Sequence, residues 1–177
     1  MIWLPRTNED IEFLRDWVRE RLDVDDTFSD GYAIALLDKD PPNEIKCAFI
    51  VSGYTGNNII MSGAIDSPLV APTEVALALH IIFSEPLSVL RITALINEMN
   101  KRSVSLMERL GFIHEGTLRD YEDEGSLTLL YGLTKRDFYG GRYGERIRKK
   151  SARKPDSVPS DDNAGSIFGR SKQLRVS

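Results

Sequence analysis

The sequence predicts an α/β chain: one mixed, mostly antiparallel sheet with a single parallel strand pair, flanking helices and an extended C-terminal tail. Three observations predict it. Strand-like runs at Tyr32–Leu37, Ile45–Ser52 and Asn58–Ile65 are joined by short, turn-rich links, which suit an antiparallel meander. A helical stretch opening at Pro72 separates the third run from a β-branched run at 89–96, and such a strand–helix–strand crossover sets its two strands parallel. Finally, residues 100–119 compress a helix, a glycine stop and a strand into one short stretch.

Taken in order, residues 2–6 are the candidate for a short first strand. Residues 8–22 place Ile11, Leu14, Val18 and Leu22 on one helical stripe with Trp17 beside it, and Thr7 or Asn8 can cap the helix. The aspartates of 23–30 lack the spacing and final glutamate of a calcium loop, so they predict a solvated connection. The links 38–43 and 53–57 are rich in turn formers, and Asp66-Ser67-Pro68 ends the third strand. Pro72 suits a first helical position and Glu74 complements the dipole, ahead of the apolar Val75, Leu79 and Ile82.

Pro86 closes that helix and the strand at 89–96 follows. Asn100 and Ser103 supply helix-starting chemistry, Val104, Met107 and Leu110 recur at spacing three, and Gly111 marks the stop. Strands are predicted at 113–118 and 127–133. From residue 140 the character changes: 140–144 is glycine-rich and predicted flexible, 145–154 is basic, and 155–165 is polar and predicted disordered on its own. Ile167, Phe168, Leu174 and Val176 restore apolar character, as in a tethered peptide that docks. The expected division is a domain at 1–139 and a basic arm at 140–177.

A chain of 177 residues with 41% hydrophobic and 28% charged residues is long enough for a real core and has an ordinary globular composition. No apolar run approaches the roughly 20 residues that cross a bilayer, and the N-terminus lacks a basic region followed by an apolar signal core, so a cytoplasmic location without membrane partners is expected. Cys47, the single cysteine, sits in an apolar run and is expected to pack. No set of His, Cys, Asp and Glu has zinc spacing. Residues 1–141 carry 13 Lys and Arg against 23 Asp and Glu, net −10, whereas 142–177 carry 10 against 4, net +6. An acidic body therefore bears a basic arm.

Asn100-x-x-Ser103, Leu110-Gly111-Phe112, Glu115-Gly116-x-x-Arg119 and the run Leu129-Leu130-Tyr131-Gly132-Leu133-Thr134 together resemble the C-terminal half of the GNAT superfamily of acetyl-CoA-dependent N-acetyltransferases, nearest the acetylases of ribosomal-protein N-termini. The resemblance covers about residues 90–138. It implies acetyl-CoA bound where the two parallel strands splay, pairing with the strand edge at Ala64 and Ile65. The pyrophosphate would meet the helix start at Thr73 and Glu74, with Asn100 and Ser103 on the cofactor side. Asp66 becomes the candidate base and Ser103 a second catalytic candidate. The acceptor would be an amine-bearing small molecule or a protein N-terminus.

Two positions depart from the family pattern. The pyrophosphate loop of the family has closely spaced glycines and an Arg or Gln, whereas residues 69–74, Leu-Val-Ala-Pro-Thr-Glu, have neither, and Pro72 deletes an amide donor. The tyrosine that many members carry seven residues after the asparagine is Met107. Plainer roles compete at each candidate: capping at Asn100 and Ser103, a turn at Asp66, pairing with the acidic loop at Arg119, and packing at His80 and His114. The rival to an acetyltransferase is accordingly a catalytically degenerate GNAT-like domain, an assembly component such as a phage particle holds, docked to a protein partner through its arm. A third reading binds nucleic acid through the seven Lys and Arg of 142–154.

Overall fold

A computed structural model describes residues 1–23, 28, 31–38, 44–68 and 70–152. Most of the aspartate-rich loop at 23–30, most of the link at 38–43, and the arm from 153 onward lie outside the described residues. The elements run β1 (Ile2–Trp3), α1 (Asn8–Leu22), β2 (Tyr32–Leu37), β3 (Ile45–Ser52), β4 (Asn58–Ile65), α2 (Pro72–Phe83) and β5 (Arg91–Asn97). Then follow α3 (Lys101–Leu110), β6 (Ile113–Arg119), β7 (Leu127–Thr134), α4 (Lys135–Gly140) and α5 (Arg142–Ala152). Seven strands form one sheet in the order β1-β2-β3-β4-β5-β7-β6, every pair antiparallel except β4 with β5.

Side chains alternate across this sheet, so its two faces carry different cores. On one face Leu36, Phe49, Ile59, Ile92 and Leu133 pack under Leu79, Ile82 and Phe83 of α2 and Met107 and Leu110 of α3. Each such side chain contributes about 1.5–3 kcal/mol by burial. On the other face α1 lays Leu14 and Val18 over Ala33, Ala35, Ala48 and Ile50. Alanines at three of these four strand positions let the helix come close.

The helix ends follow local chemistry. The Asp10 amide donates to Thr7 Oγ1 at 3.1 Å, and the Ser103 amide donates to Asn100 Oδ1 at 3.1 Å, so Thr7 and Asn100 cap α1 and α3. Gly111 closes α3 at φ 96°, a conformation that a Cβ disfavours. The segment at 140–144, expected to be a flexible joint, instead ends α4 and starts α5. Glycine serves close approach there: a Cβ on Gly144 would stand 2.1 Å from the Phe138 carbonyl oxygen. Helix α5 lays Tyr143 and Ile147 against the core and leaves Arg146, Arg148, Lys149 and Lys150 exposed.

Candidate functional site

The sheet opens at its centre. Strands β4 and β5 pair only over Asn58↔Arg91, Ile59↔Ile92 and Ile60↔Thr93. Beyond that vertex β4 stays on β3 as far as Cys47↔Ile65, while β5 stays on β7 as far as Asn97↔Thr128. The facing edges of residues 61–65 and 94–97 therefore have no strand between them, and β4 presents backbone groups to a guest that adds along it. A polar relay marks the vertex: Arg91 Nε donates to Thr93 Oγ1 at 3.2 Å, and the Thr93 hydroxyl donates to Asn58 Oδ1 at 2.8 Å. Arg91 also grips Glu115, donating through Nη1 and Nη2 to its two carboxylate oxygens.

At the wide end of the opening stand the starts of α2 and α3. Arg102 Nη2 donates to the Ser67 carbonyl at 3.1 Å, which ties the first turn of α3 to the loop between β4 and α2. Of the predicted residues, Ala64 and Ile65 end β4 and Asp66 follows them, Thr73 and Glu74 open α2, and Asn100 and Ser103 cap and open α3. Asn97 Nδ2 donates to Glu122 at 2.7 Å and fixes the loop between β6 and β7 beside it.

The start of α2 carries its own anion. Glu74 Oε2 accepts from the Ala71 amide at 3.0 Å, and Lys46 Nζ donates to both carboxylate oxygens at 3.1 and 3.2 Å. Burial pushes the Glu74 pKa up, but the Ala71 amide and Lys46 together hold it below the usual carboxylate value. Pro72 has no amide hydrogen and the Glu74 amide turns to the Ala71 carbonyl at 2.9 Å. Thr73 keeps an amide without a partner among the described residues. Acetyl-CoA therefore fits this chain in part: the strand opening suits its extended arm, whereas the α2 end offers its pyrophosphate one amide and a resident carboxylate.

Asp66, the candidate base, follows β4 and is tied to α1. Its Oδ2 accepts from Arg21 Nε at 3.1 Å and Nη2 at 2.9 Å. Ile65 lies roughly 16 Å along the strand from Ile60, at about 3.3 Å per residue, and Asp66 lies beyond it. Ser103 stands in the first turn of α3, past the end of β5, and Met107 is buried in the core. His80 Nδ1 is 2.7 Å from Tyr139 Oη, in the α2–α4 packing, and the His114 ring lies on Tyr131. Arg119 ends β6 and is exposed.

Sequence reasoning missed Lys46, Arg102 and Arg21. Their partners Glu74, Ser67 and Asp66 lie 28, 35 and 45 residues away in the chain, so no local pattern joins them. A lysine inside the apolar strand Ile45-Lys46-Cys47-Ala48-Phe49 was the one available signal.

No family model and no curated protein matches the sequence. Solved structures do match the fold. The ribosomal-protein-S5-alanine acetyltransferase of Vibrio fischeri is 14% identical with a TM-score of 0.58, over 77% of this chain and 93% of that one. The spermidine N-acetyltransferase of Vibrio cholerae, solved with CoA and spermine, is 13% identical with a TM-score of 0.60, over 78% and 96%. RimJ of Mycobacterium smegmatis, solved with CoA-disulfide, is 18% identical with a TM-score of 0.52, over 68% and 59%. The fold of the chain is the GNAT acetyltransferase fold.

Proposed function

We propose that this chain transfers an acetyl group from acetyl-CoA to a primary amine, with a protein N-terminus as the acceptor class. The observation that carries the reading is the parting of β4 and β5 after Ile60 and Thr93. It leaves an edge of the shape that an extended acyl donor needs, and relatives in fold were solved with CoA or its disulfide.

When bound, acetyl-CoA supplies an acetyl thioester. With its phosphates held at the start of α2 and its arm along β4, the thioester end would lie toward the vertex at Ile60 and Thr93. Asp66, held by Arg21, and Ser103 then stand on the phosphate side, away from the reacting amine, and in this reading neither moves the proton. The buried Met107 leaves α3 without an acid at that place. Rate enhancement comes from holding amine and thioester together, and the amine reacts as its free base.

That chemistry has a pH signature. An α-amine with a pKa near 8 should give a rate rising about tenfold per pH unit below that value and flat above it, whereas an alkylamine should keep rising toward pH 10. The test is acetylation of an alanine-initiated peptide and of spermidine across pH 4–10. A bell-shaped profile with an acidic limb near pH 4–5 would instead implicate an enzyme carboxylate. A second reading, a domain without transfer activity that serves assembly through its arm, is favoured by the resident Glu74 at α2 and requires that acetyl-CoA does not bind.

A further inference from the structure

An open cleft of about 530 Å³ lies between α1 and the ends of strands β1 to β4, and among the described residues it takes no lining residue from β5, β7 or β6. Trp3, Phe13 and Trp17 wall it, and Arg21, Glu44 and Asp66 are its charged groups. The Trp3 and Phe13 rings stand 6.5 Å apart at 46°, a tilted pair open toward solvent, with Phe13 54% exposed.

The cation in the cleft is already engaged. Arg21 lies 3.8 Å over the Trp17 ring, donates twice to Asp66 Oδ2, and donates through Nη1 to the Trp17 carbonyl at 3.3 Å. The Leu37 carbonyl at the rim likewise takes the Met1 ammonium at 2.7 Å. Asp66 Oδ1 and the Glu44 carboxylate are left without a hydrogen bond among the described residues. The cleft thus joins two carboxylates with open acceptor positions, one committed guanidinium, and the faces of Trp3 and Phe13. Carboxylate oxygens take an ammonium, and aromatic faces take both a cation and an apolar ring.

We propose that this cleft is a second ligand site, which binds a primary ammonium carried on an apolar, ring-bearing body. The ammonium sits between Glu44 and Asp66 Oδ1, and the ring sits against Trp3 and Phe13. The proposal goes beyond acetyl transfer, since it uses neither β5 nor the starts of α2 and α3, and it stands whether or not acetyl-CoA binds.

The chain has two tryptophans, and both line this cleft, so intrinsic tryptophan emission reports on it directly. The full chain is titrated with phenethylammonium chloride and, separately, with neutral 2-phenylethanol, for the native protein and for Glu44→Gln. Glu44 is exposed, and its substitution leaves the core untouched. The expected result is a saturable emission change with phenethylammonium, weakened about fivefold or more both by Glu44→Gln and by use of the alcohol. The absence of saturable change up to about 10 mM overturns the proposal. So does equal binding of the alcohol with no effect of Glu44→Gln, which would mark a charge-blind apolar groove.

Discussion

Lys46 on β3 and Glu74 in the first turn of α2 form an ion pair, Nζ 3.1 Å from one carboxylate oxygen, at the helix end where the proposed function places the donor's phosphates. The carboxylate also holds the Ala71 amide, so the chain supplies internally the negative charge that the helix dipole favours. Replacing Glu74 with Gln keeps an acceptor for Ala71, removes the like charge and frees Lys46 to meet phosphate. Acetyl-CoA should bind about fivefold more tightly to Glu74→Gln. Unchanged or weaker binding in a calorimetric titration would mean that the donor phosphates do not lie at α2.

Across the sheet, Arg91 of β5 reaches Glu115 of β6 over Gly132 of the intervening β7. A Cβ on Gly132 would stand 2.5 Å from both Arg91 Nη2 and Glu115 Oε1. Those atoms end flexible side chains, so they can move aside, but the pair is then lost. Gly132→Ala should cost about 1 kcal/mol, a modest figure because both side chains are about a third exposed. In a Glu115→Ala background the same substitution should be nearly neutral, and denaturant unfolding of the four variants measures the coupling.

Gly144→Ala faces a harder obstacle, since the obstructing atom is the backbone carbonyl oxygen of Phe138. Helix α5 must shift, and the packing of Tyr143 and Ile147 goes with it. A loss of about 2–3 kcal/mol is expected, with proteolytic cleavage appearing within residues 142–152. Native-like stability and protection would show that α5 contributes nothing to the body.

His80 gives stability a pH dependence. Burial lowers its pKa below the ordinary 6.5, so between the two values the unfolded chain binds a proton that the folded chain refuses. This contribution is fully present above pH 6.5 and is lost as pH falls through the folded value. His80→Gln should flatten that part of the stability profile between pH 7 and 5. Glu74 acts lower: its depressed pKa contributes stability above the ordinary carboxylate value that is lost as pH falls through the folded one.

Periodicity carried most of the fold. The bounds of β2, β3 and β4 follow from apolar runs between turn formers, and α1 from one apolar stripe. The strand predicted at 89–96 begins only at Arg91, where pairing with both neighbours starts at Asn58↔Arg91 and Arg91↔Thr134, and Val89 is buried ahead of it. Helix α5 was illegible because glycine reads locally as freedom, whereas Gly144 answers to a carbonyl on α4. The site divided in the same way. The parallel pair and the capping role of Asn100 follow from short stretches of chain, but the commitment of Asp66 to Arg21 and of Glu74 to Lys46 arises only when distant residues meet.

The proposed acetyl transfer requires that the cleft between β4 and β5 accept acetyl-CoA despite the resident carboxylate at the start of α2. The direct test is calorimetric titration of the full chain with acetyl-CoA, with Asn100→Ser as the companion variant, since serine retains the cap of α3 and removes the amide. The expected result is saturable one-to-one binding with a Kd on the order of 10–100 μM, weakened severalfold by Asn100→Ser without loss of folding. Absence of binding up to about 5 mM acetyl-CoA by a correctly folded chain would contradict it and leave the assembly reading in its place.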